Sequence, residues 1–112
     1  MATIDPANPL TTLITVHECK PENQQALVDL LSEAASSVYA NAPGFVSATI
    51  HRSIDGTRVT NYAQYESREA FERLRTNPAI PPFGERVRTL ITRAEPHLYE
   101  VVSSISGAAT GA

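Results

Sequence analysis

Cysteine is nearly absent: Cys19 is the only one in the chain. No intrachain disulfide can form, so no disulfide framework holds the fold. A basic excess is missing too. Nine Lys and Arg stand against twelve Asp and Glu, giving a net charge of −3 with no basic run. The Lys/Arg footprint that a phosphate backbone requires is not there, so nucleic acid is not an expected partner. No apolar run approaches the roughly 20 residues that span a bilayer. The start, Met1–Pro6, lacks the basic and apolar regions of a secretory signal. No membrane role is expected, and the cytoplasm is the expected location. GxGxxG, Walker, CxxC and HExxH patterns are all absent. Neither a nucleotide fold nor a motif-borne metal site is indicated, and no metal is expected.

What is there is ordinary for a globular chain: 42% hydrophobic and 19% charged over 112 residues. One domain over residues 1–112 is expected, with an ordered core of about 10–105 and a tail that frays from Ser103. Leu10–Cys19 is β-branched and partly alternating, as a strand is. Pro21 and Glu22 suit a helix start, and Ala26, Leu27, Leu30, Leu31, Ala34, Ala35 and Val38 form one apolar stripe after it. Asn41-Ala42-Pro43-Gly44 stops that helix. Phe45–Ile54 and Arg58–Glu66 read as strands around an Asp55-Gly56 turn. Alternation puts Val46, Ala48 and Ile50 on one side of the first and Phe45 on the other. Ser67 is an N-cap for a second helix with Phe71 and Leu74 inward. Asn77-Pro78 and Pro81-Pro82 interrupt it. Phe83–Ala94 resumes, Pro96 ends it, and His97–Ile105 reads as a fourth strand. The order βαββαβ predicts an α+β, ferredoxin-like domain with helices on one face. Both faces of the middle hairpin carry apolar residues, which points to a second sheet over the open face and hence a homodimer.

The third strand carries the candidate site. Alternation places Val59, Asn61, Ala63 and Tyr65 on one face. An amide and a phenol among small or apolar neighbours are there for a structural bond or for a ligand, because a buried amide without a partner costs free energy. The residues alone leave both open. His17, His51 and His97 fall on three different strands, where a histidine at a sheet surface is commoner than a ligand. Cys19 has no histidine at a spacing that suggests a nucleophile pair.

The stretch Asn61-Tyr62-Ala63-Gln64-Tyr65-Glu66-Ser67 resembles the NYAQWES-type strand of the antibiotic biosynthesis monooxygenase superfamily. Ala42–His51 resembles its PGF-x-SAT-x-H strand, and Ser53–Thr57 its S-x-DGT turn. Within that superfamily the likeness is to the small anthrone oxygenases of aromatic polyketide pathways, of the actinorhodin and tetracenomycin type. It implies a dimeric α/β barrel with a pocket between sheet and helices. It also implies oxidation of an aromatic polyketide anthrone to a quinone by O2, with no metal, flavin or haem. Asn61 would be the strand's catalytic asparagine, and Tyr65 stands where the family has tryptophan. Phe71 stands near a helical tyrosine of the family and lacks its hydroxyl. Arg86 and Arg88 lie where a substrate-binding arginine is implied, and Val59 and Ala63 share the strand face. Residues 67–94 contain no histidine, which disfavours the superfamily's haem chemistry. An oxygen-independent polyketide cyclase or isomerase and a non-catalytic binding protein are alternatives on the same scaffold.

Overall fold

The computed structural model of the protein describes Ile4, Ala7 and residues 9–108. Most of the segment read for a leader, and the last four residues of the tail, lie outside the described residues. Four strands make one antiparallel sheet in the order β2-β3-β1-β4, with β1 Thr11–Glu18, β2 Phe45–Arg52, β3 Arg58–Tyr65 and β4 Arg93–Tyr99. Three helices, α1 Gln24–Ser37, α2 Arg68–Arg75 and α3 Ile80–Arg88, complete the α+β ferredoxin-like fold. Among the described residues, no helix is long and apolar enough to cross a membrane.

The core lies between the helices and one sheet face, in two clusters. Cys19, Leu27 and Val59 gather Val28, Leu31, Ile50, Val87 and Leu90. Ala63, Tyr65 and Leu74 gather Leu13, Tyr39, Phe45, Ala48 and Phe71. The apolar stripe of α1 is narrower than its spacing suggests: Leu27, Leu30 and Ala34 are buried, while Ala26 is exposed. Ser67 caps α2 as expected, its Oγ accepting from the Ala70 N–H at 3.1 Å. In the hairpin turn the Asp55 carboxylate accepts from the Ser53 and Thr57 hydroxyls at 2.7 Å and from the Thr57 N–H at 3.0 Å. These bonds hold its carboxyl down at about 2, the Thr57 contribution being largest.

Three expectations are corrected. First, Pro81 and Pro82 do not interrupt a helix. They start one, in the first turn of α3, where their missing N–H groups are unpaired in any helix. Second, that helix stops at Arg88 and not at Ala94, and the fourth strand runs over Arg93–Tyr99 instead of His97–Ile105. The Thr89 hydroxyl donates to the Arg86 carbonyl at 2.7 Å and so competes with continuation. The Thr92 N–H then donates to the Glu18 carbonyl at 2.8 Å, handing the chain to the sheet. Pro96 sits inside β4, opposite Thr15, because β4 is an edge strand with a neighbour on one side only. Residues 100–107 carry no regular structure. Third, the β2–β3 register shifts between Phe45 and Ser47. This bulge turns Phe45 to the core beside Ala48 and leaves Val46 45% exposed, reversing the alternation expected there.

Gly44, immediately before β2, lies against α2. It adopts φ +83°, its carbonyl accepts from the Glu66 N–H at 2.8 Å, and a Cβ on it would collide with the Cβ of Ala70. Gly56 has the same φ, but a Cβ there would sit 3.5 Å from Pro21, an ordinary contact. Gly44→Ala should therefore destabilise the protein by about 2–4 kcal/mol, backbone strain and overpacking together. Gly56→Ala should cost roughly half that, from the backbone alone. Urea denaturation of both variants checks the difference.

Candidate active site

β1 runs antiparallel between β3 and β4, so its residues face those directly opposite them. Leu13 pairs with Ala63, Thr15 with Asn61 and His17 with Val59. Across the other edge Leu98 pairs with Leu13 and Pro96 with Thr15. Alternation sends this whole row to the helical side. There a cavity of about 580 Å³ opens between sheet and helices. That is the size of a small-molecule site. Thr15, His17, Asn61 and Tyr65 line its floor, Leu31 and Tyr39 one wall, and Phe71, Phe83 and Val87 the other. Arg68, Glu72 and Arg75 of α2 also line it. These three are exposed, so they form its rim.

The lining is mainly apolar with a few polar atoms, and one of those atoms is anomalous. Asn61 Oδ1 is buried and has no hydrogen-bond partner. An unpaired buried carbonyl costs about 1–3 kcal/mol. The sequence leaves Asn61 open between a structural bond and a ligand, and the geometry supplies no structural bond to this oxygen. His17, two positions along β1 from Thr15, is 7% exposed and its Nδ1 lies 3.1 Å from the Val59 carbonyl. A carbonyl only accepts, so Nδ1 carries the proton and Nε2 is the basic nitrogen. Burial pulls the His17 pKa below its ordinary value of 6.5, outweighing the Val59 bond.

Tyr65 is 2% exposed, and its ring is held edge-on by Phe45 and Phe71 at 5.7 and 5.4 Å. Burial, with Tyr39 beside it, pushes its phenol well above the usual range. Burial raises the Tyr39 phenol as well. Both stay protonated at neutral pH and can donate but not serve as bases. At the rim, Arg75 reaches Glu72 at 3.4 Å and lies 5.6 Å from the Phe71 ring centre.

The structure brings Asn61, Tyr65 and Phe71 to one cavity. It places the other candidates elsewhere. Val59 and Ala63 are fully buried in the two core clusters beneath the floor and do not line the cavity. Arg86 and Arg88 are exposed, and neither lines the cavity. Arg86 lies 3.9 Å from Glu33 of α1 and 5.9 Å from the Phe83 ring centre. The arginines at the cavity are Arg68 and Arg75, the first and last residues of α2. Sequence reasoning also missed Thr15 and His17. Alternation from Leu13 would have put both on the core face, but nothing in the chain says that β1 lies beside Asn61. Cys19 belongs to the core, where burial raises its thiol and makes it inert. Among the described residues, no three His, Cys, Asp or Glu side chains group as a ligand set.

Residues 10–86 match the family described as antibiotic biosynthesis monooxygenase. The tetracenomycin-F1 monooxygenase of Streptomyces glaucescens is 39% identical over 104 residues, covering 93% of this chain and 92% of that protein. Among solved structures, the monooxygenase from the gene ActVA-Orf6 of Streptomyces coelicolor, in complex with nanaomycin D, is 29% identical. Its TM-score is 0.78, over 93% of this chain and 96% of that one. SnoaB of Streptomyces nogalater, a cofactor-independent oxygenase, shares the fold at 21% identity and TM-score 0.71, over 89% of this chain and 97% of that one. The chain belongs to the antibiotic biosynthesis monooxygenase family and is a monooxygenase of that family.

If the Asn61 amide serves a ligand and not the fold, removing its polarity should stabilise the empty protein. Asn61→Leu, similar in volume, is expected to raise the unfolding free energy by about 1–2 kcal/mol, because the unpaired oxygen disappears. A structural amide predicts loss instead. Thermal and urea unfolding of the variant distinguish the two.

Proposed function

We propose that this chain is a cytoplasmic, homodimeric, cofactor-independent monooxygenase that oxidises an anthrone-type aromatic polyketide to its quinone with O2. The observation that carries the reading is the unpaired carbonyl of Asn61 on the floor of an apolar cavity. A flat, fused aromatic ketone fills such a space between Phe71, Phe83 and the sheet. An adjacent ring hydroxyl would donate to Asn61 Oδ1, while the amide N–H groups donate to the substrate's carbonyl. Those donors strengthen as negative charge builds on that oxygen. Arg68 and Arg75 at the rim favour an anionic, phenolic substrate.

The chemistry follows from the substrate. An anthrone C–H is acidic because its carbanion is a phenolate-like enolate, and this electron-rich anion reduces O2 directly. One oxygen atom enters the ring carbon as the new carbonyl and the other leaves as water, so the substrate supplies every electron. The protein needs only to bind, promote deprotonation and exclude water. Tyr65, enclosed by Phe45 and Phe71, shapes the end of the cavity and offers a phenol O–H instead of an indole N–H.

Two outcomes are expected. Oxygen uptake on dithranol, with metals chelated, should exceed the uncatalysed rate for the wild type. Asn61→Ala should reduce kcat by about 10²–10³-fold, the loss of one oxyanion donor. No uptake above background by the wild type overturns the reading, and product formed without O2 points to a cyclase or isomerase. The dimer is supported by Leu98, Tyr99, Val102 and Ile105, which are 38–87% exposed on β4 and the chain after it. Light scattering should give twice the 12.1 kDa chain mass, and Val102→Asp with Ile105→Asp should shift it toward the monomer.

A further inference from the structure

The oxidation needs a base, and the cavity holds few candidates. Among the described residues Glu72 is its only lining carboxylate, and it is exposed at the rim beside Arg75. Arg68 and Arg75 are cations. Tyr39 and Tyr65 are phenols that burial keeps protonated. His97 also touches the cavity, but it is exposed and pairs with Ile14, on the opposite side of the sheet from Thr15. His17 remains, and its surroundings are those of a base.

We propose that His17 is the general base of this reaction, its Nε2 taking the proton from the acidic ring carbon while Nδ1–H stays on the Val59 carbonyl. This inference rests on the proposed oxidation of an acidic aromatic ketone. The Val59 bond fixes the tautomer and the ring orientation. No hydrogen bond from another described residue occupies Nε2. His17 and Asn61 are diagonal neighbours on paired strands, one from each of the adjacent pairs Thr15–Asn61 and His17–Val59. Such neighbours stand roughly 7–8 Å apart. That spacing suits two groups acting on opposite ends of one six-membered ring, and an anthrone carries its carbonyl and its acidic carbon in that relation.

In the step, the C–H bond breaks and an Nε2–H bond forms. The electron pair passes into the ring as an enolate whose oxygen faces Asn61. The imidazolium is held by the Val59 carbonyl and by the enolate itself. After O2 adds to the carbanion, the same proton completes a hydroperoxide. Nε2 then takes the second hydrogen of that carbon as the O–O bond breaks, and gives it to the departing hydroxide as water. His17 ends neutral, ready for a second turnover. Burial keeps it neutral at pH 7 from the start. On the sheet its neighbours are uncharged, Val59 of β3 on one side and Ala94 of β4 on the other; besides the two phenols, the charged and titratable groups that share its cavity are Arg68, Glu72 and Arg75 of α2 at the rim and His97 of β4. Glu18, its neighbour on β1, points to the other face and is engaged by Arg58 and Arg93 at 3.8 Å.

The test separates deprotonation from oxygenation. Dithranol is incubated without O2 in D2O, and deuterium entry at its acidic carbon is followed by NMR. Wild type should accelerate exchange over background. His17→Asn places an amide nitrogen where Nδ1 was, so it keeps the Val59 bond and removes the base. It should lose about 10²-fold or more of the exchange rate and of kcat for oxygen uptake, while dithranol still binds. Exchange and kcat unchanged in His17→Asn overturn the proposal and leave the oxygenase reading standing. Exchange without oxygen uptake in the wild type sinks the oxygenase reading and leaves the base. Should the variant not fold, the wild type suffices. Its exchange rate should fall on acidification in step with the His17 ring titration read by NMR, and a rate that ignores that titration overturns the proposal.

Discussion

The antiparallel register of β1 against β3 decides most of what this protein is. Leu13 on Ala63, Thr15 on Asn61 and His17 on Val59 put one row of side chains under the helices. A slip of one residue would turn that row to the open face and expose the core with it. The two ends of the row anchor the two core clusters, Leu13 and Ala63 in one and Val59 in the other. Its middle, Thr15 and Asn61, is polar and lines the cavity. Core and cavity are thus one row read at different positions, and the same hydrogen-bond ladder holds both.

The cavity exists because the helices do not close over that middle. α2 is only eight residues long and α3 begins at a proline pair, so the two split the cover that one longer helix would give. Their aromatic side chains, Phe71 and Phe83, lean on the rim of the gap. The protein keeps one unpaired oxygen and one buried imidazole there, a local cost that the two clusters offset.

Local signals were legible and long-range ones were not. The Ser67 cap, the Asp55-Gly56 turn, the βαββαβ order and the face shared by Asn61 and Tyr65 could all be read from neighbours in the chain. The bulge at Val46 could not, since it depends on how Phe45 meets Tyr65 across the sheet. Pro96 reads locally as a stop. Only the strand order shows it at an edge, where it is tolerated. Arg86 and Arg88 looked like candidates by position along the chain, yet neither lines the cavity, and Arg86 reaches Glu33 of α1 instead. His17 carried no signal, because its significance lies in a partner strand over forty residues away.

Pro96 has one more consequence. A strand of another copy laid along the free side of β4 would find no N–H at that position and a gap in the ladder. Extension of the sheet past β4 is therefore interrupted at this position. Two copies meeting at this margin are steered toward side chains and sheet faces and away from joined backbones, whereas β2, the other edge, carries no proline to break a ladder.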